Sequence, residues 1–384
     1  MINNNQHIPS GYKHSTLGII PEDWEVKRLG EVCTFLDSQR IPIKDADRGK
    51  MQGKYPYYGA SGIIDYVNDY IFDDDLILLG EDGANIITRS TPLAFLVSGK
   101  VWINNHAHVL KTNEGYNRSY ICNYLESLSY DKYNTGTAQP KLNQEVCEHI
   151  PVLIPSEDEQ NKISDLLTLW DTAIAKQTAL IEKLTLRKRG LMQQLLTGKK
   201  RLKGFGGEWK EVRLGEICDL TKGEQVNSDT LAETGLHPVI NGGITPSGYK
   251  DDYNTEANTI TISEGGNSCG FVNLIKTKFW SGGHCYTISN IINFDLNYLY
   301  YSLKFTEPHI MNLRVGSGLP NIQLGPLNKF TLLMPQIEEQ KAIAAILERA
   351  DKEIDLANKK LSYMQKQKKG LMQVLLTGKK RINL

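Results

Sequence analysis

At 384 residues the chain exceeds an ordinary single domain, so two domains are expected, each long enough to bury its own core. Its 44 Lys plus Arg against 44 Asp plus Glu exclude a protein that holds DNA through overall positive charge, so any nucleic-acid contact must use local basic surface. No apolar run approaches the roughly 18 residues that span a bilayer, and polar residues 1–10 do not resemble a secretory leader, which points to the cytoplasm. Cys33, Cys122, Cys147, Cys218, Cys269 and Cys285 form no C-x-x-C pair, and this predicts reduced, mostly buried thiols rather than a zinc cluster or disulfide framework.

In chain order, Trp24 and Leu29-Gly30-Glu31 open a segment of short strands and glycine-rich turns. Strands are predicted over 76–79 and 101–110, and a helix over 117–128. After Pro155 the pattern changes. Ile163, Leu167, Trp170, Ile174, Gln177, Ile181, Leu184, Lys188, Leu191 and Leu195 alternate steps of four and three, the seam of a coiled coil. Ser156 and Glu159 read as a capping box that starts this helix, and Gly198 stands where a left-handed stop is wanted. About 42 residues at 1.5 Å each give roughly 60 Å, too long to pack alone on a domain of about 130 residues.

The same order then returns. Trp209 with Leu214-Gly215-Glu216 reopens the unit, a strand is predicted over 259–263 and a helix over 296–304, and a second seam follows at Ile343, Leu347, Ala350, Ile354, Ala357, Leu361, Met364, Lys368, Leu371 and Leu375. Gly190-Leu191-Met192-Gln193 recurs as Gly370-Leu371-Met372-Gln373, and the repetition runs through Thr197-Gly198-Lys199-Lys200-Arg201 and Thr377-Gly378-Lys379-Lys380-Arg381. If a pseudo-twofold axis relates the copies, the helices run antiparallel with a globular unit at each end. Gly190 and Gly370 each cost about 1 kcal/mol in helix, which suggests a close helix contact or a kink. Boundaries are expected at 1–154, 155–200, 201–334 and 335–384.

Motifs for chemistry are incomplete. Gly198-Lys199 lacks the hydroxyl and upstream glycine of a phosphate loop, because Lys200 and Gln193 stand there. Gly265, Gly266 and Gly270 lack the strand and helix of a dinucleotide fingerprint. Glu25-Val26-Lys27 is half of a nuclease metal site with no acidic residue on a preceding strand. His284-Cys285 is the best nucleophile pair, yet the first copy has His106-Ala107-His108 instead. No Pro-Pro dipeptide is present, which excludes the usual catalytic loop of an adenine methyltransferase.

The whole chain resembles the specificity subunit of type I restriction-modification enzymes. The resemblance rests on Ile20-Pro21-Glu22-Asp23-Trp24-Glu25-Val26 and Gly207-Glu208-Trp209; on Tyr58-Gly59-Ala60-Ser61-Gly62 and Asn241-Gly242-Gly243; and on Thr135-Gly136-Thr137-Ala138-Gln139-Pro140-Lys141-Leu142 and Val315-Gly316-Ser317-Gly318-Leu319-Pro320-Asn321-Ile322. Glu159-Gln160, Glu339-Gln340 and the Gly-Leu-Met-Gln helix ends complete it. It implies an α+β fold: two tandem mixed α/β target recognition domains, separated by two long helices in an antiparallel coiled coil. It further implies no catalytic residue or metal site here and double-stranded DNA as ligand. The partners implied are two methyltransferase subunits and restriction/translocase subunits, which carry S-adenosylmethionine, ATP and magnesium.

Base-edge chemistry nominates DNA contacts, since Arg or Lys can bond guanine and Asn or Gln adenine. The candidates are Arg40, Lys44, Arg48, Lys50, Lys54, Gln139 and Lys141 in the first domain, and Lys222, Gln225, Asn227, Arg314, Asn321 and Gln323 in the second. Three other readings compete: a related combined cutting and methylating system, a coiled-coil scaffold that binds no DNA, and a hydrolase built on Cys285 and His284.

Overall fold

The computed structural model describes residues 8–316, 318 and 320–382; residues 1–7, Ser317 and Leu319, named above, lie outside the described residues. The chain forms two compact units. The first comprises residues 1–178 and 360–384, the second residues 179–359. Both unit boundaries fall inside long helices, Glu157–Leu196 and Ile337–Leu375. Each unit therefore owns the first part of one helix and the last part of the other.

In the first unit a six-stranded sheet runs in the order Cys33–Phe35, Ala107–Thr112, Phe72–Gly80, Ala94–Ile103, Gln52–Gly59, Gly62–Val67. Its central strand alternates: Ile77 and Leu79 face the core shared with the helices, while Leu76 and Leu78 face a smaller cluster with Val97, Val101 and Val109. The predicted strand over 101–110 is two strands. Asn104 breaks it by taking the His106 amide on its side chain at 2.8 Å, so that Ala94–Ile103 and Ala107–Thr112 lie on opposite sides of Phe72–Gly80. The predicted helix appears as Arg118–Ser127, started by Asn117, whose Oδ1 accepts the Tyr120 amide.

The second unit has a four-stranded sheet (Asp219–Lys222, Cys285–Ser289, Thr259–Ser263, Val272–Ile275) and a three-stranded one (Gly248–Lys250, His237–Ile240, Trp280–Ser281). Its helix, Leu296–Met311, passes the predicted end at 304 and contains Pro308 near its last turn. In each unit a two-stranded ribbon ties the domain opening to the strand before a long helix: Glu25–Arg28 pairs with Pro151–Ile154, and Lys210–Arg213 with Thr331–Met334. All six cysteines are free and buried, as their sequence spacing suggests.

Seam residues Ile163 and Leu167 enter the first unit's core beside Met372 and Leu375. Ile343, Ala344 and Leu347 do the same in the second beside Leu195 and Leu196. Each fully buried Leu or Ile contributes about 2 kcal/mol by leaving water. Among the other seam positions Gln177, Ala350 and Ala357 are buried, while Trp170, Ile174, Ile181, Leu184, Leu191, Ile354, Leu361 and Leu371 are half-buried. Lys368 pairs with Asp171 in the first unit; Arg187 pairs with Glu353 and Lys188 with Asp351 in the second. With Glu159–Arg381 as a second pair in the first unit, one number rises as its partner's falls, so the paired segments of each unit are antiparallel.

A clasp closes each pair. In the first unit the fully buried Glu159 carboxylate accepts from Trp24 Nε1 at 3.0 Å and from Arg381 at 2.6 and 3.1 Å, while Arg381 also forks onto Asp23 at 2.7 and 2.8 Å. In the second unit Glu339 accepts from Trp209 at 3.1 Å and from Arg201 twice at 2.7 Å. The proposed capping box is only half made: Ser156 Oγ takes the Glu159 amide at 3.4 Å, but the Glu159 side chain is committed to Trp24 and Arg381. Gly198 and Gly378 adopt φ of +68° and +69°, the left-handed stops that turn each arginine back toward its clasp.

Gly190 and Gly370 do not make the close helix contact that their position suggests. Both helices continue through them, and an added Cβ would meet nothing within 4 Å. Gly190→Ala and Gly370→Ala should therefore each stabilise the isolated chain by about 1 kcal/mol, read as a higher denaturation midpoint; a loss of stability would mean that the backbone there is not ordinary helix. Arg381→Ala should cost roughly 3 kcal/mol, the low end for breaking a buried pair because Arg381 is itself partly exposed, and should raise amide exchange in the first unit's core; no change in either would dismiss the clasp.

Candidate nucleic-acid interface

In each unit a central strand is followed at once by a glutamate and then, within two residues, by glycine: Glu81 with Gly83 after Phe72–Gly80, and Glu264 with Gly265 and Gly266 after Thr259–Ser263. Around these glutamates the backbone repeats itself. Glu81 N donates to His106 O, Leu142 N to Glu81 O, Gly83 N to Pro140 O and Thr135 N to Lys141 O, at 2.7–3.1 Å. Glu264 N donates to His284 O, Ile322 N to Glu264 O, Gly266 N to Pro320 O and Val315 N to Asn321 O, at 2.8–3.0 Å. These bonds hold the two duplicated loop motifs against the strand end. In the first loop Asn134 Oδ1 takes the amides of Gly136 and Lys141, and any side chain at Gly136 would collide with the Gln139 carbonyl, 1.8 Å from an ideal Cβ.

On that common frame the side chains differ. In the first unit Arg40 lies between two carboxylates, 2.6 Å from Glu81 and 3.3 Å from Asp37, and also donates to Ala107 O. Lys141 reaches Glu81 Oε1 at 3.3 Å. His108 is buried, with Nδ1 2.5 Å from Asp37 and Nε2 2.9 Å from Leu142 O. Two acceptors facing two ring nitrogens require both to carry hydrogen, the imidazolium form. Burial opposes its charging, but the hydrogen bonds to Asp37 and Cys147 outweigh that, and its pKa is pushed up to about 10. Asp37, Glu81 and His108 have the proximity of metal ligands, yet the Arg40 guanidinium occupies the place between the carboxylates, and the group closes on itself as an ion-pair network.

The second unit uses other groups for the same task. Lys222 bonds Glu264 at 2.6 Å, and the Tyr286 hydroxyl lies 3.3 Å from Glu264 and 3.0 Å from Ile322 O, the carbonyl equivalent to Leu142 O. Burial, then the Glu264 charge, pushes the Tyr286 pKa up to about 12. His284 stands 3.5 Å from Glu264. The neighbouring Cys285 thiol is buried and pushed up to about 11 by desolvation, a poor nucleophile, and its sulfur faces the Tyr286 carbonyl rather than an activating imidazole.

The nominated contacts separate into groups. Arg40, Gln139 and Lys141 gather at the first loop; Gln139 is exposed and Lys141 half-exposed, whereas Arg40 has only 13% of its side chain exposed and its donors are engaged internally. Lys44, Arg48, Lys50 and Lys54 lie apart, around the turn of helix Asp45–Arg48 and the strand after it; Arg48 is engaged by Asp45 and Asp65 and Lys50 by Asp47, while Lys44 and Lys54 are exposed without an ion pair among the described residues. In the second unit Lys222, Arg314 and Asn321 border Glu264 and its loop. Gln225 lies over Gly283, Asn227 caps the turn at Ser228–Thr230, and exposed Gln323 precedes helix Leu324–Asn328. Sequence reasoning did not single out Glu81, Asp37, Glu264 or Tyr286; the detectable signal was a glutamate two residues before glycine at the end of an apolar strand in both copies.

The family described as type I restriction modification DNA specificity domain matches residues 21–186 and 206–364, both copies of the repeat. The chain is 25% identical to the type I restriction enzyme MjaVIII specificity subunit of Methanocaldococcus jannaschii over 94% of each chain. It is 27% identical to a putative type I restriction enzyme specificity subunit of Haemophilus influenzae, over 85% of this chain and 87% of the relative. Among solved structures, the type I restriction-modification S subunit from M. genitalium shares the fold with a TM-score of 0.66 at 17% identity, over 98% of each chain.

Because the His108 pKa is raised above its unfolded value near 6.5, its stabilisation is complete below that pH and is lost as pH rises through about 10. Asp37, Glu81 at 3.9 Å, Cys147 and the Phe35 ring edge are the groups that face it. The melting temperature should fall more steeply between pH 7 and 10 in the wild type than in His108→Gln; parallel curves would show that His108 is neutral in the folded chain.

Proposed function

The chain belongs to the type I restriction modification DNA specificity family, and we propose that its two units each read one half of an interrupted, asymmetric DNA target and direct adenine methylation and restriction by partner subunits. The observation that carries this reading is the common loop frame bearing unlike chemistry: His108, Asp37 and Lys141 in one unit, Tyr286, Lys222 and Asn321 at the corresponding places in the other. A shared scaffold suits one kind of ligand, and different polar groups on it suit different base sequences.

The repeated helices suit a partner present twice, two methyltransferase subunits, with restriction/translocase subunits completing the assembly. S-adenosylmethionine, ATP and magnesium belong with those partners in this reading, which is supported by the incomplete phosphate loop at Gly198-Lys199-Lys200 and the missing Pro-Pro dipeptide. The chain then acts without a catalytic residue of its own, in the cytoplasm where host DNA lies. No helix among the described residues is long and apolar enough to cross a membrane. With equal numbers of acidic and basic residues, binding by this chain alone should be weak, and much of the phosphate affinity should come from its partners.

Mapping methylated adenines in cells that carry the chain and its methyltransferase tests the proposal. A two-part, non-palindromic motif is expected, and exchanging residues 205–335 for those of a relative should change only one half of it. A palindromic motif, or one altered in both halves by the exchange, would overturn the assignment.

A further inference from the structure

We propose that Glu81 and Glu264 are positioning residues for DNA recognition, each ordering the loop and the lysine through which its own unit reads its half-site. This rests on the reading of the two units as DNA readers and adds the residues that make each reader rigid.

Both carboxylates are largely buried, with side chains 13% and 10% exposed. A buried charge is expensive, and a well-packed apolar residue usually stabilises a fold as well or better. Neither unit makes that substitution, although nearly everything around the glutamate has changed: Arg40 and Lys141 surround Glu81, whereas Lys222, Tyr286 and His284 surround Glu264. Stability alone does not explain a charge kept at one place amid such different neighbours.

Position supplies the reason. Each glutamate directly follows a central strand, and its backbone carbonyl holds the loop by accepting from Leu142 N or Ile322 N. Its carboxylate then draws a lysine across the same strand end: Lys141 from the loop itself, or Lys222 from the edge strand Asp219–Lys222, next but one in the sheet. These lysines are 48% and 50% exposed, so each amine bonded to the glutamate keeps donors for a ligand. A lysine fixed in this way loses less rotamer freedom on binding than a free one. Exposed Gln139 stands two residues from Lys141 on the first loop, and exposed Arg314 adjoins the second. The carboxylate thus converts a mobile cation into a fixed donor at the loop surface, and the two units reach that end with lysines from different elements.

The test uses the full chain with its own methyltransferase and host genomic DNA, reading the extent of adenine methylation at each variant of the motif. Glu81→Gln should relax discrimination in the first unit's half by roughly ten- to hundredfold and leave the other half intact, and Glu264→Gln should do the converse. The residue exchange described above identifies which half belongs to which unit. Lys141→Met and Lys222→Met, which alter only half-exposed side chains, should reproduce the corresponding glutamine variants and guard against a glutamine variant that fails to fold. The inference is overturned if the lysine variants leave both halves at wild-type discrimination, or if any folded variant degrades both halves equally. A wild-type chain that yields no two-part motif removes the DNA reading itself; a two-part motif insensitive to all four variants removes only this inference.

Discussion

The structure depends on a carboxylate that one helix buries at its start and an arginine that the other delivers beyond its end. Glu159 holds Arg381, and Glu339 holds Arg201. A buried carboxylate with one partner removed is strongly destabilising, so each helix end is committed to the opposite helix start. Trp24 and Trp209 complete the shells by donating their indole N–H groups, which joins each domain opening to the same carboxylate. One charge therefore binds three separated pieces of chain: a domain opening, a helix start and the tail of the other helix. In the first unit the pieces lie at residues 24, 159 and 381, so the fold of the amino-terminal domain is completed only by the carboxyl-terminal tail.

Reciprocity explains why the helices repeat while the domains do not. The start of the first helix must fit the end of the second, and the start of the second must fit the end of the first. Glu-Gln at both starts, the glycine stop and arginine at both ends, and the Asp171–Lys368 and Asp351–Lys188 pairs are the two sides of that one fit. The strand-end loops are under a weaker constraint. Their backbone bonds are shared, but the equivalent carbonyls of Leu142 and Ile322 are served by an imidazolium in one unit and a phenol in the other. Backbone geometry fixes the frame and leaves the side-chain chemistry open.

These constraints decided what could be read before the structure was known. A helix of 40 residues samples its period many times, so the seam, the repeat and the left-handed glycine stops were legible. The strand over 101–110 was misread because Asn104 interrupts a run whose apolar residues continue on both sides, and the turn there is made by one side-chain hydrogen bond. Glu159 fitted a capping box locally, but a tertiary partner more than two hundred residues away took its carboxylate. Arg40 was nominated for its charge, and charge alone does not show that Asp37 and Glu81 already engage it. Asp37, Glu81 and His108 meet only through strand pairing, so no local pattern marks them.

Reciprocal fit also narrows what the repeated helices offer to other molecules. Several identical positions serve the internal fit: Glu159 and Arg381, Gln160, Ile163, Leu167, Asp171 and Lys368 in the first unit, with their counterparts in the second. The exposed apolar helix residues are not shared, because Leu169, Leu180, Leu186, Leu356 and Tyr363 correspond across the repeat to Arg349, Lys360, Lys366, Lys176 and Lys183. A surface common to both units cannot be built on them. Identical and exposed are Gln193 and Gln373, Lys199 and Lys379, and Lys200 and Lys380, whose side chains make no bond among the described residues; beside the glutamines lie Gly190 and Gly370, where an added Cβ meets only open space. These residues are the exposed surface that the two helices offer alike, and internal pairing does not account for their repetition.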